Sequence, residues 1–198
     1  MIRALFITII TSILLFSASA HAQRVVADNP VSFEDWLAEF KLEAKAEGIS
    51  QEILDLTFAD LIPNPKVIEL DRRQPEFTQT SKEYIRVRVS ETRVKNGIKR
   101  MAETKPILDP AAQKIGVQKR FIAAIWGMET NYGAYTGNFN IVRSLMTLSY
   151  DMRRSAFFRK ELHKALLILQ EGHITPEEMI GSWAGAMGQG QFMPTSFF

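Results

Sequence analysis

One glutamate, Glu129, lies inside a largely apolar stretch, residues 121–133 (FIAAIWGMETNYG). Wound as a helix at about 100° per residue, the stretch places Glu129 near the middle of a broad apolar arc. The arc consists of Phe121, Ile122, Ile125, Trp126 and Met128. Burial in that arc would favour the neutral carboxyl, the form that donates a proton in general acid catalysis. An equally weighted alternative is that the helix ends here and leaves Glu129 in water.

A second stretch, residues 181–194 (GSWAGAMGQGQFMP), combines glycine with neutral polar and aromatic residues. Its glycines let the backbone approach a ligand closely. Ser182, Gln189 and Gln191 supply hydroxyl and amide groups, and Trp183 supplies a flat apolar face. Such groups suit sugars, which are polar at their edges and apolar on their faces. The alternative is that the small residues only allow close helix packing.

Several other kinds of chemistry lack their usual residues. The sequence has no cysteine. Of its histidines, His163 and His173 lie outside the leader, ten apart and without metal-ligand spacing. Phosphate-binding glycine loops, dinucleotide fingerprints and the GxSxG pattern are absent as well. We therefore predict no metal site and no required cofactor.

The first residues have the pattern of an export signal. Arg3 precedes an apolar run over residues 4–16, and small residues at Ala18, Ala20 and Ala22 suit signal peptidase. We expect cleavage after Ala22, with Ala20 as the alternative site and an uncleaved anchor less favoured. No transmembrane segment is expected after cleavage. The formal net charge of +2 gives no reason to expect nucleic-acid binding.

The rest of the chain predicts an all-α protein, because apolar residues recur at helical spacing and no convincing alternating run occurs. Residues 23–31 are expected to form a flexible arm. Helical spacing returns over residues 77–105, where an interruption at Gly97 is left open, and a short helix is expected to start at Asp109. Residues 175–178 (TPEE) predict a further helix start, with Thr175 as N-cap and proline at N1.

Three blocks in this order resemble the membrane-bound lytic transglycosylase B family of peptidoglycan enzymes. They are residues 124–133 (AIWGMETNYG), 145–158 (LMTLSYDMRRSAFF) and 181–197 (GSWAGAMGQGQFMPTSF). The resemblance implies a lysozyme-like helical core over residues 106–198, preceded by a helical α-domain over residues 32–105. In the family the core continues beyond the position of Phe198 and often carries a calcium-binding loop. We therefore expect the C-terminal part of the core, and that loop, to lie outside this chain.

The resemblance also assigns candidate site residues, position by position. Glu129 matches the single catalytic carboxylate of the family. Ser182 matches a nearby residue that helps to orient the reacting group. Gln191 and Tyr84 match positions that line the glycan cleft.

Arg153 and Arg154 match an arginine pair suited to the anionic lactyl-peptide portion of muramic acid. A guanidinium binds a carboxylate through two parallel hydrogen bonds, which makes this role physically reasonable. The alternative is a surface charge pair at the start of a helix.

The implied activity is lytic transglycosylation of the MurNAc-β-1,4-GlcNAc bond, which leaves 1,6-anhydro-MurNAc ends. One glutamate serves first as general acid and then as base. The implied partner is the peptidoglycan glycan strand, met in the periplasm by a monomer. A lysozyme-type hydrolase on the same scaffold and a non-catalytic wall-binding protein are the competing hypotheses.

Overall fold

The computed structural model describes residues 30–73 and 80–198. The expected leader at residues 1–22, most of the arm at 23–31 and the expected helix start at Phe77 lie outside the described residues.

Helices dominate the described chain. The α-helices are α1 (Phe33–Ala46), α2 (Gln51–Phe58), α3 (Pro65–Arg72), α4 (Ser81–Arg88), α5 (Glu91–Glu103), α6 (Lys105–Ile115), α7 (Lys119–Thr130), α8 (Ile141–Tyr150) and α9 (Ser155–Gln170). Single-turn 3-10 helices occupy Met152–Arg154 and Pro194–Ser196. Two short antiparallel strands, β1 (Phe139–Asn140) and β2 (Ile180–Gly181), complete the fold. The all-α prediction is confirmed, and strands of two residues are too short to produce an alternating pattern.

The hydrophobic core lies between two groups of helices, with α1, α2 and α3 on one side and α8 and α9 on the other. Helix α8 is enclosed so completely that every residue from Ser144 to Tyr150 is buried. Both groups contribute fully buried side chains, among them Phe40, Leu54, Leu145 and Leu166. One continuous core thus joins helices on both sides of residue 105. The division into two domains at that point stays a prediction.

Two helix boundaries differ from the expectation. The segment expected to be helical over 77–105 is interrupted at Ser90 rather than at Gly97, because Ser90 caps α5 by accepting a hydrogen bond from the Arg93 amide at 3.2 Å. The helix expected to start at Asp109 instead begins at Lys105. A proline in its first turn is tolerated, since the amides there have no intrahelical partner.

The helix start predicted at Thr175 is wrong. The expected cap forms, since the Thr175 hydroxyl accepts a hydrogen bond from the Glu178 amide at 3.3 Å. The chain then leaves the helical path, because Met179 is fully buried and Ile180 pairs with Asn140 across the two strands. Tertiary packing therefore outweighs the local capping signal.

In the described ranges 30–73 and 80–198, no helix has both the length and the apolar character that crossing a bilayer requires.

Candidate active site

Helix α7, which carries Glu129, packs by its small residues rather than by its apolar arc. Its buried residues are Ala123, Gly127 and Thr130. Phe121, Ile125 and Met128 are 52%, 55% and 44% exposed, and Glu129 is exposed with them. Of the two alternatives for Glu129, the structure therefore favours the second, in which the helix ends here and the carboxyl is exposed. Periodicity separated the apolar face of the helix from the face of small residues. The small residues face α5, because they allow the two helices to approach closely.

The end of α7 is fixed by two residues in the left-handed region. Asn131 and Tyr132 have φ values of 50° and 61°, which is unusual for an aromatic residue. Tyr132 is held there because its ring is buried and its hydroxyl donates to the Arg93 carbonyl oxygen at 2.8 Å. This turn ends the helix at Thr130, so that the Glu129 carboxyl lies in the last turn.

A cleft of about 120 Å³ opens at Glu129. Ser182 and Gln191 line the same cleft, although they lie more than fifty residues further along the chain. The other lining residues are Tyr135, Thr136, Gly137, Phe139 and Trp183. Three of the six residues predicted for the site therefore meet in one place.

Ser182 is held at the cleft by the strand pair. It follows β2, where Gly181 lies opposite Phe139 of β1. Its hydroxyl oxygen accepts a hydrogen bond from the Ala186 amide at 3.0 Å. The hydroxyl hydrogen consequently stays available for donation. The close passage of the chain requires glycine at 137, where a Cβ would lie 2.0 Å from the Gly181 carbonyl oxygen.

The side-chain amide of Gln191 joins two loops. Its Nε2 donates to the carbonyl oxygens of Thr136 at 3.0 Å and Gly188 at 2.9 Å. Both partners are acceptors, so they define which end of the amide is nitrogen. Gln191 can therefore present only the acceptor oxygen, Oε1, to a molecule in the cleft.

Arg153 and Arg154 do not line the cleft around Glu129. Both contact the carboxylate of Asp71, which is 2% exposed. Arg153 Nε lies 3.1 Å from Asp71 Oδ2, and Arg154 Nη2 pairs with Asp71 Oδ1. The pair predicted to bind a substrate carboxylate thus binds one inside the protein and ties α3 to the start of α9. About half of each arginine side chain, 50% and 42%, remains exposed.

Tyr84 also lies apart from the cleft around Glu129. It belongs to α4, is half-buried, and packs under the guanidinium of Arg88 at 5.3 Å from the ring centre. Its predicted contact with the glycan stays a prediction.

The sequence reasoning did not select two aromatic residues of the cleft wall, Tyr135 and Phe139. Their signal was present, because residues 134–140 form a loop rich in glycine, asparagine and aromatic residues directly after Glu129. With Trp183 they give the cleft three flat apolar faces beside neutral polar groups.

A larger cavity of about 430 Å³ lies beside the cleft and shares Thr136 with it. Its wall is largely apolar, with Met179, Met187 and Phe197 among its residues, and none of the described residues that line it is ionisable. We therefore assign the chemistry to the smaller cleft. Within the described part of the chain, no cluster of three or more histidine, aspartate or glutamate side chains could hold a metal ion.

Comparison with protein families gives a match to the transglycosylase SLT domain over residues 32–198. The chain is 39% identical over 105 residues to membrane-bound lytic murein transglycosylase B of Escherichia coli K12, which covers 52% of this chain and 29% of that protein. The aligned segment therefore covers under a third of this relative's length.

Crystal structures give the same similarity. SltB3 of Pseudomonas aeruginosa in complex with NAG-NAM-pentapeptide matches with a TM-score of 0.79 and 45% identity, over 83% of this chain and 44% of that one. The complex of SltB3 with NAG-anhNAM-pentapeptide matches with a TM-score of 0.78. Escherichia coli Slt35 in complex with calcium matches with a TM-score of 0.71 and 29% identity, over 86% and 54% of the two chains. The lysozyme-like fold class and the family resemblance are thereby confirmed.

Proposed function

Because the chain belongs to the transglycosylase SLT domain family, we propose that it cleaves the glycan strands of peptidoglycan as a lytic transglycosylase. The observation that carries the proposal is the meeting of Glu129, Ser182 and Gln191 in one cleft. The two glycopeptides in the SltB3 complexes, one with NAM and one with anhNAM, support the substrate class and the product class.

In the first step, protonated Glu129 donates its proton to the glycosidic oxygen between N-acetylmuramic acid and N-acetylglucosamine. The bond from that oxygen to the muramoyl C1 breaks, and positive charge develops at C1. The neighbouring acetamido oxygen stabilises this charge. Glu129 is exposed in the free cleft, and a bound glycan would displace the water around it, which favours the neutral acid.

In the second step, the Glu129 carboxylate takes the proton of the muramoyl C6 hydroxyl while O6 bonds to C1. The product is a 1,6-anhydromuramoyl end, the glutamate returns to its protonated form, and no water is consumed. A single carboxyl suffices, whereas most glycosidases use two. Among the described residues lining the cleft, Glu129 is the one carboxylic acid.

The neighbouring residues orient the sugar. The Ser182 hydroxyl, with its hydrogen free, donates to a sugar oxygen or to the Glu129 carboxylate. Gln191 Oε1 accepts from a sugar hydroxyl or acetamido N–H group. Tyr135 and Trp183 pack against the apolar faces of the sugar rings.

The predicted contacts of Tyr84, Arg153 and Arg154 belong to a more distant part of the substrate. Arg153 and Arg154 are about half exposed, so their N–H groups that do not face Asp71 can bind a carboxylate of the lactyl-peptide portion. The two arginines then have a structural role through Asp71 and a second role in substrate binding.

A lysozyme-type hydrolase is the second candidate function. The exposure of Glu129 favours hydrolysis, because a water molecule can reach the carboxylate that would activate it as a nucleophile. Both candidates cut the same bond, but only hydrolysis adds water to the product.

The remaining expectations complete the proposal. The protein acts on glycan strands in the periplasm after removal of residues 1–22, as a monomer and without a required cofactor. If calcium is not required, treatment with EDTA leaves the activity unchanged, and a loss that calcium restores would contradict this part.

The deciding experiment digests purified sacculi in water enriched in heavy oxygen and analyses the released muropeptides by mass spectrometry. Lytic transglycosylation gives ends lighter by one water than reducing ends and without the label. Labelled reducing ends would establish hydrolysis instead. Intact sacculi that nevertheless sediment with the protein would support a wall-binding protein.

A further inference from the structure

Thr130, the residue after Glu129, forms an unusual junction for a buried side chain. It is 1% exposed. Its hydroxyl donates to the Gln189 carbonyl oxygen at 2.9 Å, a contact that spans 59 positions of the chain, while the Trp126 carbonyl oxygen of its own helix lies further away, at 3.3 Å. The Thr130 hydroxyl oxygen also accepts a hydrogen bond from the Gly133 amide at 3.0 Å. The hydroxyl thus joins the end of α7 to the glycine-rich loop that contains Gln189.

The exposed side chain of Gln189 lies at the same junction. It lies across Gly133, where a Cβ would be 2.6 Å from Gln189 Oε1. Two residues further on, Gln191 fastens the loop a second time through its bond to the Thr136 carbonyl oxygen. The loop is therefore held against the segment that begins at Glu129 by bonds at both positions.

We propose that Thr130 is a positioning residue, which sets the distance between the Glu129 carboxyl and the groups of the loop. This inference rests on the proposed function. In residues 30–73 and 80–198, no side-chain hydrogen bond joins Glu129 directly to Ser182 or Gln191. Their mutual position consequently depends on the bonds that hold the segments carrying them together. The Thr130 hydroxyl forms the one that lies next to Glu129 in the sequence.

Loss of this hydroxyl should affect the reaction more than the binding of the glycan. The aromatic walls supplied by Tyr135 and Trp183 do not depend on the Thr130 bond. The geometry of proton transfer does, and a misplacement of about 1 Å can lower a rate about 100-fold. We expect Thr130→Val to lower kcat about 10- to 100-fold, while KM changes by less than about threefold.

The test compares Thr130→Val with Thr130→Ser and Thr147→Val in the purified protein. Serine keeps the hydroxyl and should restore most of kcat. Thr147 is a matched control in α8, because it is also fully buried, donates to the Arg143 carbonyl oxygen at 2.7 Å and accepts from the Asn64 amide at 2.9 Å. Thr147→Val should lose comparable stability in thermal unfolding and retain kcat.

A second pair of variants perturbs the junction from the other side, should Thr130→Val not fold. The Gly133 amide donates to the Thr130 hydroxyl oxygen, and a Cβ at Gly133 would press on the end of the exposed Gln189 side chain. A Cβ at Gly116 meets no atom within 4 Å, and both glycines have positive φ, 79° and 68°. We expect Gly133→Ala to lose kcat and Gly116→Ala to keep it.

Two results would overturn the inference. One is a wild-type kcat in folded Thr130→Val or in Gly133→Ala, and the other is an equal loss in either control. Failure of the proposed function itself would look different, because the wild-type protein would then release no anhydromuramoyl products at all.

Discussion

The ring of Tyr132 occupies the space that a side chain at Gly127 would fill. A Cβ on Gly127 would lie 2.5 Å from both the hydroxyl oxygen and the Cζ atom of Tyr132. The same hydroxyl would meet a Cβ on Gly97 of α5, also at 2.5 Å. One aromatic side chain therefore fills the gap between two glycines and joins the helix that carries Glu129 to its neighbour.

Gly127→Ala should destabilise the protein, although alanine is the better helix former by about 1 kcal/mol. The added methyl group would displace the Tyr132 ring, and overpacking of this kind costs about 1–3 kcal/mol. The measurement is the free energy of unfolding in urea. Gly97→Ala should behave alike, and Asn96→Ala, at the exposed neighbouring position, provides the baseline. A Gly127→Ala protein as stable as the wild type would contradict this packing.

Asp71→Asn should lower the free energy of unfolding by about 1.5–3 kcal/mol, the range for hydrogen bonds to charged groups. The buried carboxylate holds Arg153 and Arg154, and an amide cannot pair with both guanidinium groups. The matched control is Glu69→Gln, which removes a 39% exposed carboxylate that also pairs with two cations, Lys66 at 2.9 Å and Arg73 at 3.0 Å. Such surface pairs contribute about 0–1 kcal/mol. Equal losses in the two variants would show that burial of Asp71 is unimportant.

The stability should fall at high pH because of Tyr150. Burial, and to a smaller extent the charge of Glu34, raises the pKa of the Tyr150 hydroxyl. Above pH about 10, the ordinary range for tyrosine, the unfolded chain loses this proton before the folded protein does. The free energy of unfolding therefore decreases as the pH rises from there through the folded pKa.

Tyr150→Phe should remove this part of the pH dependence. The variant also loses the hydrogen bond from the hydroxyl to the Val31 carbonyl oxygen at 2.9 Å, so its stability is lower at neutral pH. Urea unfolding over a series of pH values measures both effects. Tyr135→Phe, at a position 66% exposed, is the control and should keep the wild-type slope. An unchanged slope in Tyr150→Phe would contradict the assignment.

Sequence alone brought Glu129, Ser182 and Gln191 together, because the blocks that contain them follow a family pattern. It left open whether Glu129 is buried or exposed. A helical wheel separates apolar from small faces, but it cannot tell which face a neighbouring helix will take. Here the ring of Tyr132 packs between the glycines of α5 and α7, so the face of small residues is the one that is buried.

The pairing of Arg153 and Arg154 with a buried carboxylate could not be predicted from the sequence, for a different reason. Their carboxylate partner, Asp71, lies some eighty positions earlier and is identified only once α3 packs beside the start of α9. The failed helix at Thr175 has a similar origin. Its cap forms as the local sequence demands, and the pairing of Ile180 with Asn140 then redirects the chain.

The most direct test of the account compares Glu129→Gln with the wild-type protein on purified sacculi, with anhydromuramoyl ends counted by mass spectrometry. Glutamine keeps the shape of the side chain but can neither donate nor accept the proton, so the rate should fall at least about 10²–10⁴-fold. Glu177→Gln, at an exposed position outside the cleft, should keep the wild-type rate. Anhydromuramoyl ends released by Glu129→Gln at the wild-type rate would contradict the central role of this carboxyl.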